Sequence, residues 1–125
     1  MVRILCVATL LCAVAMAAAQ PARAQGDAAQ GKKVFRKCAV CHDTRPGKTK
    51  IGPSLFGVIG RKSGTLPGYR FSSAMRKSDI TWSKETLERY LQNPRKVVLG
   101  TRMAFAGLRS KQDRDDVIAY LETLK

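Results

Sequence analysis

The pentapeptide Cys38-Ala39-Val40-Cys41-His42 constrains this chain more than any other feature. C-x-x-C-H is the pattern by which a polypeptide takes up haem covalently. Two thiols separated by two residues can add to vinyl groups on neighbouring porphyrin edges, and a histidine directly after them lies beneath the iron and supplies one axial nitrogen. Other uses of the same residues are weaker. A structural zinc site needs about four ligands, and His42 is the only histidine, with no second cysteine pair beyond the first twelve residues. A thioredoxin-like redox pair sits in a βαβ pattern, which is absent. A disulfide across C-x-x-C is strained and leaves His42 without a purpose.

The chain begins with Arg3, an uncharged apolar run from Ile4 to Ala19 and then Ala22-Arg23-Ala24. A basic start, an apolar stretch and a small-x-small site read as a signal peptide, 1–24, followed by a domain over 25–125. The run falls short of the ~20 residues that span a bilayer, so an uncleaved anchor is the second reading. Cleavage removes Cys6, Cys12, Met1 and Met16, which leaves Cys38, Cys41, Met75 and Met103 as the only sulfur side chains. It also removes two of the 23 basic residues and none of the nine acidic ones, leaving a net charge of +12. Two remaining cysteines exclude a disulfide-dense secreted scaffold, and 45% hydrophobic residues exclude charge-driven disorder.

A domain of about 100 residues buries under ~68% of its unfolded surface and gains from something added at its centre. Its elements point the same way. Asp27 can cap a helix running to about Lys37, with Val34 and Phe35 inward. Asp43 to Tyr69 is dense in glycine and proline and reads as turns. Ser72 to Lys77 suits a short helical turn. A helix starts near Ser83, carries Leu87, Tyr90 and Leu91 on one face and ends at Pro94. Val97 to Leu108 reads as loop, and a last helix begins at Ser110 in a capping-box-like sequence with Val117, Ile118, Leu121 and Leu124 on one stripe. No segment alternates as a strand. The expected class is all-α, three main helices with long ordered loops, and loops this long in so small a domain imply that they wrap a ligand.

A second axial ligand would saturate the iron, and after signal removal only Met75 and Met103 could provide a thioether. Methionine is an adaptable core filler, and Met75, inside a helical turn, reads as core. Met103 lies in a loop where Gly100 permits a tight turn, which favours it as the ligand.

These residues together resemble class I c-type cytochromes of the mitochondrial cytochrome c and bacterial cytochrome c2 type, over Gly26 to Leu124. The resemblance rests on Gly31-Lys32-Lys33-Val34-Phe35, the C-x-x-C-H motif, Gly52-Pro53-Ser54-Leu55, Gly60-Arg61-Lys62, Ile80-Thr81-Trp82, Tyr90-Leu91-x-Asn93-Pro94, Gly100-Thr101-x-Met103-x-Phe105-x-Gly107 and Asp116-Val117-Ile118-Ala119-Tyr120-Leu121, in that order. It implies the cytochrome c fold around one haem c, thioether-bound to Cys38 and Cys41, with His42 and Met103 as axial iron ligands. It implies that the Pro53 carbonyl accepts from His42, and that Gly31 and Phe35 pack on Val117 and Tyr120. It places Arg61 and Trp82 near the propionates, Tyr90 and Thr101 around Met103, and Phe105 against the haem. Two departures stand out: Leu99 where the family usually has proline, which removes a fixed φ, and Phe71 where a tyrosine often binds a propionate.

An iron with both axial positions filled leaves one-electron transfer as its chemistry. The expected function is therefore a soluble periplasmic monohaem carrier, not an enzyme, acting as a monomer without stable membrane insertion. Its partners would be redox proteins with acidic docking surfaces: membrane cytochrome complexes, oxidases, reaction centres or dehydrogenases. Lys32, Lys33, Lys37, Arg95, Lys96, Arg102 and Arg109 flank the segments expected around the haem edge and would steer such partners. A secreted chain without a recognition motif argues against nucleic acid. The alternatives are a haem enzyme or gas-binding protein with an open sixth position, to which Leu99 alone leans, and a fixed subunit of one complex.

Overall fold

The computed structural model describes residues 25–125, so the signal-peptide expectation for 1–24 lies outside the described residues. Helix α1 (Ala28–Val34) starts where the Asp27 carboxylate accepts the N–H groups of Ala29 at 2.7 Å and Gln30 at 3.1 Å. It tightens into a 3₁₀ turn over Phe35–Lys37, so the sequence-predicted helix to Lys37 is present with a narrower last turn. At the other end of the chain the Ser110 hydroxyl accepts from the Asp113 N–H and opens the twelve-residue helix α5 (Lys111–Glu122).

α1 and α5 cross at glycine. A β-carbon on Gly31 would fall on the Asp116 carbonyl and beside Cβ of Tyr120, and one on Gly26 would fall on the Asp115 carbonyl. The Asp116 carboxylate accepts the Asp27 backbone N–H at 2.7 Å, tying the start of α1 to α5. The Phe35 and Tyr120 rings pack at 5.4 Å and 59°, and Val117 and Ile118 are fully enclosed beneath them. The expected packing of Gly31 and Phe35 on the last helix is therefore present.

Helix α3 (Lys84–Gln92) lies against α5 and buries Leu87, Tyr90 and Leu91, the stripe read from the sequence. Its capping box is complete: the Ser83 N–H donates to Thr86 Oγ1 at 2.7 Å, and the Thr86 N–H returns to Ser83 Oγ. Pro94 ends α3 as expected but also begins the one-turn helix α4 (Pro94–Val97), in which Asn93 accepts the Lys96 N–H. Proline at a first helical position loses nothing, because that N–H has no helical partner. The loop expected from Val97 thus begins one residue later, after this unpredicted turn. Helix α2 (Ser73–Lys77) is the short turn predicted after Ser72, whose hydroxyl caps it.

The glycine-rich segment is ordered by its backbone. Gly60, Ser63 and Trp82 N–H groups donate to Trp82, Ile80 and Arg61 carbonyls at 2.7–2.9 Å around one isolated bridge between Lys62 and Thr81. Among the described residues there is no strand longer than that bridge, and no helix is long and apolar enough to cross a membrane.

Charge is unevenly placed along this fold. Seven of the nine carboxylates belong to or flank α1, α3 and α5. Between Asp43 and Asp79 there are eight cations and no acid, and between Glu88 and Asp113 six cations and no acid.

Candidate haem site

The attachment motif leaves α1 directly. The Cys38 and Ala39 N–H groups donate to the Phe35 carbonyl, and those of Cys41 and His42 donate to the Cys38 carbonyl at 3.0 and 2.9 Å, so 38–42 curl in one tight turn. Both thiols are free and half-buried. Burial pushes the Cys38 thiol above its ordinary value, against the opposing charge of Lys37. Lys50 braces the turn by donating to the Ala39 carbonyl at 2.8 Å.

His42 is oriented by its neighbours. Its Nδ1 lies 2.7 Å from the Pro53 carbonyl, which can only accept, so Nδ1 carries the proton and Nε2 keeps its lone pair. Burial lowers the imidazole below its ordinary value and holds it neutral, the form that binds a metal; the Pro53 bond works in the opposite direction. Gly52 makes the room. A β-carbon there would stand 2.5–3.0 Å from three atoms of the His42 ring, a requirement the sequence analysis did not assign to this glycine.

Met103 sits on the loop after α4. The Tyr90 hydroxyl, from α3, donates to Met103 Sδ at 3.9 Å, and the Met103 N–H donates to Thr101 Oγ1 at 3.3 Å. Burial raises the Tyr90 phenol, which stays a neutral donor. Gly100 adopts φ +87° and approaches Ala74 of α2, so the tight turn expected there is formed. Leu99, in place of the usual proline, is 83% exposed. Met75 packs partly buried against the core, near Ser78.

Trp82 and Tyr90 pack at 4.9 Å, and the Trp82 ring is buried. Arg61 is half-buried and gives one nitrogen to the Ser54 carbonyl at 2.9 Å and another to the Phe56 carbonyl at 3.2 Å; it has no carboxylate partner among the described residues. Phe105 is partly buried against the core. Phe71 stacks edge-on against Tyr69 at 4.7 Å, and the hydroxyl of this pair, on Tyr69, reaches the Ile51 carbonyl.

One arrangement at the end of the Met103 loop is not legible in the sequence. Arg114 of α5 is buried, with Nε and Nη2 on the Glu88 carboxylate at 2.9 and 2.8 Å and Nη1 on the Leu108 and Arg109 carbonyls at 2.6 and 2.9 Å. A buried pair separated by 26 residues carries no local pattern; only the two opposite charges on inward-facing helix positions hint at it.

The donor set can be tested against haem. Two free thiols on one turn, an imidazole with its metal-binding nitrogen left open and a thioether on a separate loop match covalent haem with iron. A bare metal ion finds no such nest, since no three His, Cys, Asp or Glu side chains converge among the described residues.

Comparison with known proteins agrees. The cytochrome c family model matches residues 28–125. The chain is 50% identical over 101 residues to cytochrome c of Euglena viridis, covering 80% of this chain and 99% of that one. It is 48% identical to cytochrome c2 of Rhodomicrobium vannielii, covering 82% of each. Cytochrome cH from Methylobacterium extorquens superposes with a TM-score of 0.75 at 45% identity, over 78% of this chain and 99% of the other. The chain belongs to the cytochrome c family and is a class I c-type cytochrome. With the family come covalently bound haem c with its iron and a monohaem electron carrier's function.

Proposed function

We propose that this protein is a soluble periplasmic shuttle, delivered by a signal peptide at 1–24, that carries one electron at a time between larger redox complexes. Cys38 and Cys41 would hold the haem by thioethers, and His42 and Met103 would supply the nitrogen and sulfur that ligate its iron. When bound, the haem supplies one-electron exchange between Fe(II) and Fe(III), and His/Met ligation keeps its potential high. The observation that carries this reading is the His42–Pro53 bond, which reserves Nε2 for a metal. The Tyr90 contact on Met103 Sδ supports the second position, because it holds the thioether toward the interior.

The remaining residues tune and orient. Trp82 is buried against Tyr90, and its indole N–H would donate to a propionate. Arg61 brings a half-buried positive charge anchored by the Ser54 and Phe56 carbonyls, and its own carbonyl accepts from the Trp82 backbone N–H. Thr101 fixes the backbone of Met103, and Phe105 excludes water on the same loop. Lys32, Lys33, Arg95, Lys96, Arg102 and Arg109 are exposed, as is Lys37 beside Asp113, and they suit an acidic partner.

The absorption spectrum and redox titration of the haem-loaded protein test this. The ferric form should show a weak far-red sulfur-to-iron band that Met103→Ala abolishes and Met75→Leu keeps. Rapid binding of carbon monoxide to the ferrous form at neutral pH would show an open sixth position and favour a gas-binding or peroxidase-like protein.

A further inference from the structure

The loop bearing Met103 is held by different means at its two ends. On the side before Met103, the Thr101 N–H reaches back to the Val98 carbonyl within the same turn, at 3.0 Å, Val98 is buried, and the Thr101 hydroxyl meets the Tyr90 hydroxyl of α3. Gly100 stands at φ +87°, and Leu99 is exposed with no proline ring to fix its backbone. On the side after Met103, the anchors are distant in sequence and buried. The Leu108 N–H donates to the Leu91 carbonyl at 2.7 Å, and a β-carbon on Gly107 would press on the Gln92 carbonyl. The Leu108 and Arg109 carbonyls both accept from Arg114, whose other nitrogens are fixed by Glu88. Glu88 shares α3 with Tyr90, the residue that touches the sulfur.

We infer that the Glu88–Arg114 pair is a positioning device for Met103: it clamps 108–109 between α3 and α5 and so sets how often the sulfur leaves the iron. The inference rests on Met103 being an axial ligand. Arg114 is almost fully buried while Glu88 keeps partial exposure. Losing Glu88 leaves a buried cation with two carbonyls and no countercharge, a costly state that the structure relieves by letting Arg114 move. The two carbonyls would then move with it, and the loop's local opening would become easier than the opening of the helices.

The experiment measures the rate of cyanide uptake by the ferric haem-loaded protein, without denaturant, alongside the far-red band and the urea midpoint. Uptake waits on departure of the methionine sulfur, so it reports the loop and not the global fold. Glu88→Gln and Glu88→Ala should take up cyanide about tenfold faster, as expected for loss of a charged hydrogen-bonding partner, with the far-red band weakened. Lys111→Gln, which breaks the ion pair of Lys111 with Asp115 on α5 without touching 108–109, should leave uptake within twofold of the parent. A lowered urea midpoint with unchanged uptake in both Glu88 variants would overturn the inference, leaving the pair a helix tie alone. Unchanged midpoint and uptake together would overturn it as well. A parent protein without a far-red band would instead remove the axial role of Met103, and the clamp with it, a result distinguishable before any variant is made.

Discussion

Gly52 matters for space, not for backbone freedom. Its φ lies outside the left-handed region, yet a methyl group there would stand within 3.0 Å of the His42 ring. Gly52→Ala should therefore displace the imidazole from the Pro53 carbonyl and cost about 1–3 kcal/mol, as over-packing does. Urea unfolding of the haem-loaded variant measures it, and a midpoint equal to the parent's would show that the ring has room. Asp79 presents the opposite case. It holds φ +54°, unusual without glycine, while its carboxylate meets Lys62 Nζ at 2.5 Å. The hydrogen bond from Lys62, then its charge, holds the Asp79 carboxyl below the ordinary range. Stability from a depressed carboxyl is complete above the unfolded-state pKa, about 4, and is lost as pH falls through the folded value. Asp79→Gly never had that contribution and is free of the backbone strain, so it should gain on the parent between about pH 7 and pH 3. Urea midpoints at both pH values check the sign; a constant difference would contradict it.

Among the elements, the crossing of α1 and α5 sets two effects of one substitution against each other. Alanine in a helix interior normally gains about 1 kcal/mol over glycine. At Gly31 the added methyl would fall on the Asp116 carbonyl, which is backbone and cannot swing away. The clash exceeds the propensity, so Gly31→Ala should lower stability by about 1–3 kcal/mol, seen as a reduced melting temperature of the haem-loaded protein. The same comparison shows why sequence served some elements better than others. The helix starts at Ser72, Ser83 and Ser110 were legible, the last as a cap, because the groups that close each first turn lie three residues away. At Ser110 only half the box forms, because the Asp113 carboxylate turns to Lys37. Helix α4 was hidden by Pro94, which stops one helix and starts the next, although an Asn-Pro pair is also an N-cap followed by a first-turn proline. In the site, C-x-x-C-H is contiguous and could be read from spacing; Pro53, Tyr90 and Thr101 followed from family resemblance. Gly52 and the Glu88–Arg114 clamp depend on contacts that only folding creates.

At the scale of the molecule, the fourteen cations in the two acid-free stretches bear on association. Electron transfer to an acidic protein partner should slow several-fold as ionic strength rises from about 0.01 to 0.3 M, because screening shortens the reach of charge to roughly 10 Å at 0.1 M. Stopped-flow rates across a salt series measure this, and a flat series would mean that the basic surface does not guide encounter. The placement of the carboxylates has a second effect. With seven of nine on or beside α1, α3 and α5, the last packed on both of the others, and most of the cations outside those helices, the centres of opposite charge do not coincide. Such a body carries a permanent electric dipole moment, and an approaching negative surface exerts a torque on it. The carrier is turned while still at a distance, so it meets its partner already facing the right way and fewer collisions are wasted.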